Sequence, residues 1–159
     1  MINYLNYPQN LPLRYLGKII KIIICATTNE TKDRLDDLGI IKALIKIQDF
    51  LVKQIFELSS NQNIQHQNEN EQPYTHEKLI FDALKLLFMY CQFSKDRSEQ
   101  AVSYSFIQIA ATIINLNDSK INRLLLDLLS EFVTTSELTR EEMWNSVNGP
   151  HMLVALLNK

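Results

Sequence analysis

His76 and Cys91 are the residues of this chain whose types come nearest to reaction chemistry. A thiol beside an imidazole could be activated as a nucleophile, and His76 next to Glu77 could begin a metal site. The surrounding residues argue against both. Cys91 closes the most apolar helical run of the sequence, where a thiolate is disfavoured, and no further ligand spacing accompanies His76. His66 and His151 lie far away in sequence, and no His-Glu-x-x-His, Cys-x-x-Cys or phosphate-cradling glycine loop occurs. Neither a catalytic residue nor a cofactor or metal is expected. Cys25 and Cys91 both sit inside apolar runs, so the sequence predicts two buried free thiols. Trp144 is expected to pack between helical units rather than to stack on a ligand.

Binding chemistry has a better pattern. Lys42, Lys46, Asp49 and Lys53 recur at i, i+4, i+7 and i+11, which aligns them on one helix face. Ser105, Gln108, Thr112 and Asn115 recur at i, i+3, i+7 and i+10 as an uncharged stripe of hydrogen-bonding side chains, and His151 lies beyond them. Set side by side, such rows would hold an extended peptide through its main chain, with the lysines favouring acidic or phosphorylated residues. A merely solvated face has the same composition.

The elements that must position these rows are helical. With three glycines, four prolines and little two-residue alternation, the apolar periodicity is helical nearly throughout. After a lead-in over 1–11, it predicts helices at about 12–27, 30–38 and 40–59, the second closed by Gly39, the residue best suited to a left-handed stop. Ser59 to Pro73 is rich in Asn and Gln, carries one aliphatic residue, and reads as a flexible polar insert at about 60–74. A helix over about 76–93, capped by Thr75, is apolar almost all round, which makes Leu84, Leu87 and Phe88 a buried spine. Further helices are expected from Ser98, from Asp118 or Ser119, from a Thr139–Glu142 capping box, and from Pro150.

The pattern repeats. Ile22–Glu30 is echoed by Leu129–Glu137, an apolar helix running into Thr-Thr-(Asn/Ser)-Glu, and both copies then reach a glycine ahead of an apolar stretch. Periods of roughly 40 residues built from two or three helices are those of HEAT and armadillo arrays, whose units bury their apolar faces by stacking. Gly39-Ile40-Ile41-Lys42-Ala43-Leu44-Ile45 resembles the helix end, glycine turn and long helix of an armadillo repeat; Gly149 with Leu153, Leu156 and Leu157 is similar. Glu141-Glu142-Met143-Trp144, Gly149 and Leu156-Leu157 also resemble the armadillo-type region outside the kinase domain of mitotic-exit and septation-pathway protein kinases. The resemblance implies an all-α, right-handed α-solenoid of about three armadillo-like (HEAT-like) repeats over 12–159, with long helices lining a groove.

Composition sets outer limits on function. Sixteen basic against eighteen acidic residues give a net charge of -2, so no global field draws the chain to nucleic acid. The most apolar stretch, Leu16–Ala26, is interrupted by Lys18 and Lys21 and is shorter than the roughly 20 residues of a membrane span. No leader-like start is visible, and a cytoplasmic or nuclear, reducing setting is expected. The expected function is a non-catalytic protein-protein interaction scaffold holding an extended partner segment on Lys42, Lys46, Lys53, Ser105, Gln108, Thr112, Asn115 and His151. The alternative is an oligomerisation or localisation module of a larger signalling protein such as a cell-cycle kinase, its exposed end at Leu153, Leu156 and Leu157 pairing with a second copy.

Overall fold

A computed structural model describes residues 5–60, 74–146 and 149–157, and among them every regular element is helical. The nine α-helices of the described residues fall into three triplets. The first comprises α1 (Leu13–Ala26), α2 (Asn29–Asp37) and α3 (Ile40–Ser60). The second comprises α4 (His76–Cys91), α5 (Lys95–Ser103) and α6 (Phe106–Ile113). The third comprises α7 (Ser119–Thr135), α8 (Glu137–Asn145) and α9 (Gly149–Leu157).

The middle helix of each triplet has nine residues and the same start. The hydroxyls of Thr28, Ser94 and Ser136 accept from the amides of Thr31, Arg97 and Thr139 at 3.3, 3.4 and 3.3 Å, which satisfies one of the donors a helix start leaves open. Two of these helices also stop alike. The chain leaves α2 through Gly39 at φ +71° and leaves α5 through Ser105 at φ +66°, each followed at once by the triplet's third helix. Ser105 therefore stands where the second triplet lacks a glycine, and as a residue with a Cβ it carries a conformational cost that Gly39 does not.

Corresponding helices stack. α1 packs on α4 and α4 on α7, while α3 packs on α6 and α6 on α9. The helix α4 lies deepest, against α1, α3, α5 and α7, and Leu79, Ile80, Ala83, Leu84, Leu86, Leu87, Tyr90 and Cys91 are all fully buried along it. A single apolar core runs from Leu5 and Leu16 through Leu44 and Leu51 to Phe106 and Phe132, whose rings meet edge to face at 5.5 Å. At Gly17 the ring of Tyr74 and the side chain of Leu79 occupy the space a Cβ would need, so α1 and the start of α4 approach closely only because a glycine stands there.

Several expectations give way. The helix expected from Ser98 begins at Lys95 under the Ser94 cap, and Ser98 is a buried interior residue whose hydroxyl donates back to Ser94 O at 2.9 Å. It also ends early, because the left-handed turn at Ser105 divides the expected single helix into α5 and α6. Thr139 does not cap α8; Ser136 does, and Thr139 is buried one turn inside, its hydroxyl donating to the carbonyls of Phe132 and Ser136. Trp144 packs between no units and is 72% exposed. Cys25 is exposed, whereas Cys91 is buried as expected. Ser59 and Ser60 still belong to α3, and Tyr74 is partly buried, so the polar insert loses both its ends; the remainder, residues 61–73, lies outside the described residues.

Candidate functional site

The third helices carry the candidate binding surface. The long α3 exists because Ile40, Ile41, Leu44, Ile45, Ile47, Leu51 and Val52 bury one broad stripe, which leaves Lys42, Lys46 and Lys53 exposed on the opposite one. The shorter α6 lies alongside and exposes Gln108 and Thr112. Between the two helices is a cavity of about 260 Å³ lined by Asp49, Val52, Lys53, Phe56, Glu57, Ile109 and Thr112. Its apolar part is Val52, Phe56 and Ile109. Phe56 is 38% exposed and Ile109 only partly buried, so both present apolar surface to the cavity.

Of the expected residues, the structure brings Lys53 and Thr112 together at this cavity, and the others are not part of its lining. Lys42 extends toward the Tyr104 ring, with Nζ 5.7 Å from its centre, and Lys46 toward the exposed Tyr7 ring at 5.9 Å. Ser105 is exposed in the turn before α6 rather than on the helix, which removes it from the regular stripe. The Thr112 hydroxyl donates to Gln108 O at 3.1 Å, and the Asn115 side-chain amide donates to Ala111 O at 3.3 Å, so both spend a hydrogen bond on the backbone of α6. Asn115 belongs to a 3-10 turn, Ile114–Leu116, that follows α6. His151 is exposed on α9. The side chains of Leu153, Leu156 and Leu157 lie outside the described residues.

Charge along α3 is not uniform, which the lysine row alone concealed. Lys53 Nζ is 2.6 Å from Asp49 Oδ2 in an exposed i, i+4 pair, and Glu57 lines the same cavity. The lysine row is thus basic at Lys42 and Lys46 and neutralised at Lys53. The apolar floor was also missed, because Ile109 obeys the helical period that otherwise marks core.

A second cavity, of about 330 Å³, is lined by Thr75, Glu77, Lys78, Phe81, Asp118, Lys120 and Ile121 at the starts of α4 and α7. Its best acceptors are already engaged. Thr75 Oγ1 accepts from Lys78 N at 3.2 Å, and Asp118 Oδ1 accepts from Lys120 N at 2.8 Å and Ile121 N at 3.0 Å. This arrangement is two helix caps rather than a ligand cradle.

Reaction chemistry fares no better in space. His76 opens α4 and Cys91 closes it; at 1.5 Å per residue the helix separates them by roughly 22 Å, far beyond proton transfer. The Cys91 thiol is pushed well up by burial and donates to Arg97 O at 3.7 Å. His76 is held below its ordinary value of 6.5 by burial, which outweighs the opposing charge of Glu77. No group of three or more His, Cys, Asp or Glu converges as metal ligands among the described residues. No helix among them is long and apolar enough to cross a membrane. The chain matches no protein-family model, no curated protein and no solved structure.

Proposed function

We propose that this chain is a non-catalytic scaffold, a right-handed α-solenoid of three armadillo-like repeats that holds an extended segment of a partner protein along the third helices. The observation that carries the reading is the cavity between α3 and α6, where Val52, Phe56 and Ile109 offer an apolar seat beside a polar rim. The stacking of α1 on α4 on α7, and of α3 on α6 on α9, supports the solenoid, because each triplet buries its faces against the next. In this reading the partner places an aliphatic or aromatic side chain in the cavity and acidic or phosphorylated residues against Lys42 and Lys46. Gln108, Thr112 and Asn115 meet its main chain, and Lys53, paired with Asp49, orients the rim instead of binding an anion. The proposed setting is intracellular, cytoplasmic or nuclear, as a docking or localisation module of a signalling protein.

The test is a selection of binders from a random linear-peptide library, followed by affinity measurement on variants. Peptides with an apolar anchor and acidic neighbours are expected. Thr112→Arg, which crowds the cavity mouth from an exposed position, should weaken them about tenfold or more, since an anchor in a pocket carries most of such an interaction. Lys42→Glu with Lys46→Glu should weaken them further while the melting temperature stays nearly unchanged. Selected peptides that bind all these variants equally would place recognition elsewhere and end the groove reading.

A further inference from the structure

The two ends of the stack carry opposite charge on exposed apolar helix faces. On α1 the residues Leu16, Gly17, Ile20 and Ile23 are buried, and Gly17 faces Tyr74 and Leu79 of the next triplet. Counting 100° per residue, Tyr15 and Ile22 lie about 140–160° around the helix from Gly17, on the side away from α4. They are 45% and 52% exposed. The helix holds three cations, Arg14, Lys18 and Lys21, and no acid. Arg14 and Lys18 both lie by the Tyr15 ring, at 4.9 and 5.9 Å from its centre, which gathers positive charge around the exposed aromatic.

On α8, in the last triplet, Thr139 and Met143 are buried and the remaining surface is the converse of α1. Leu138 is 55% and Trp144 72% exposed, among the exposed carboxylates Glu137, Glu141 and Glu142. The lone cation, Arg140, donates from Nε to Val133 O at 3.1 Å on the preceding helix. A large aromatic left this open beside three acids is an interface residue type without an interface.

We propose that this chain associates with a second copy of itself head to tail, the basic face of α1 in one molecule docking on the acidic face of α8 in the next. Each face supplies what the other lacks: Tyr15 and Ile22 against Leu138 and Trp144, and Arg14 and Lys18 against Glu141 and Glu142. An anionic membrane fits α1 less well, because the chain as a whole carries -2 and α2 and α8 are each acidic on balance. Two short helices bury an area at the low end of specific interfaces, so the contact belongs to the weak, concentration-dependent class. Because the two faces differ, the contact is heterologous and extends into open chains unless its rotation closes a ring.

Sedimentation velocity over a wide concentration range, at low and high salt, reads the proposal directly. Association is expected to rise with concentration and fall with salt. Arg14→Glu with Lys18→Glu, and separately Glu141→Lys with Glu142→Lys, should each weaken it about tenfold or more, with the helical circular-dichroism signal unchanged. Mixing the two charge-reversed proteins should restore association, because the reversed α1 of one then meets the reversed α8 of the other. Trp144→Ala should weaken it without altering its salt dependence, and the groove variant Thr112→Arg should leave it intact. A chain that stays monomeric throughout, a loss that mixing does not rescue, or a loss from the α1 variant alone would overturn the proposal. Binding of phosphatidylserine vesicles that is abolished by the α1 reversal and untouched by the α8 reversal would instead assign α1 to a membrane surface.

Discussion

At the residue scale, a partly buried polar cluster joins the first two triplets. Tyr90, buried in α4, donates from its hydroxyl to Lys32 O and, at 2.8 Å, to Asp36 Oδ1. Arg97 of α5 donates from Nε to Asp36 Oδ2 at 2.9 Å and stacks over the Tyr90 ring at 4.9 Å. Burial and the bond to Asp36 push the Tyr90 phenol well up; for Arg97, burial is outweighed by its bond and charge pairing with Asp36, which raises it. The second arm of Arg97, to Asp33 at 2.8 Å, weighs little because the Asp33 side chain is 87% exposed. Arg97 itself is 16% exposed and Asp36 31%, so their pairing is only partly screened. Arg97→Ala and Asp36→Ala should each destabilise by about 1.5–3 kcal/mol, the range for hydrogen bonds to charged groups. In chemical denaturation the double variant should lose less than the sum, with a coupling of about 0.5–3 kcal/mol. Strict additivity would mean that the two side chains stabilise through separate partners.

At the element scale, the corner between α5 and α6 tests how a triplet makes its left-handed turn without a glycine. Ser105 holds φ +66° with no side-chain cap bond, and a left-handed residue with a Cβ costs roughly 1–2 kcal/mol relative to its right-handed form. Ser105→Gly should therefore raise stability by up to about 1 kcal/mol, part of the relief being offset by the larger entropy of glycine in the unfolded chain. A thermal melt that shifts downward would show that the serine side chain contributes more than its conformation costs. The same corner explains what was legible in the sequence. Helical period, the Thr75 and Asp118 caps and the Gly39 stop could be read directly, since each has a local chemical cause. The break at Ser105 has no such cause, because only the packing of α5 and α6 onto their neighbours forces a serine into that region. Likewise the capping box read at Thr139 is locally sound, and burial of Thr139 beneath Phe132 hands the cap to Ser136. At the candidate site the lysine row was legible from spacing, whereas the Asp49–Lys53 pairing and the Val52, Phe56 and Ile109 seat depend on where α6 lies.

At the scale of the whole molecule, α4 ties the triplets into one cooperative body. It packs on α1 and α3 of the first triplet and on α7 of the third, and Leu84 and Leu87 are wholly enclosed. Opening α4 must therefore expose both of its neighbours, while α8 and α9 can detach from the end of the stack at the cost of their own contacts alone. Local opening is limited by the contacts it breaks, so amide exchange should grade from the enclosed α4 outward. Exchange at the α4 amides is expected to proceed only by global unfolding, tracking the stability measured by denaturant, and the α9 amides should exchange fastest among the helices. Leu87→Ala, which removes a fully buried side chain and leaves a cavity, should cost roughly 2–5 kcal/mol and accelerate exchange in α1, α4 and α7 together. Acceleration confined to α4 would mean that the triplets unfold independently. Equal protection of α4 and α9 would mean that the last triplet is locked into the core as firmly as the middle one, and the graded picture would have to be abandoned.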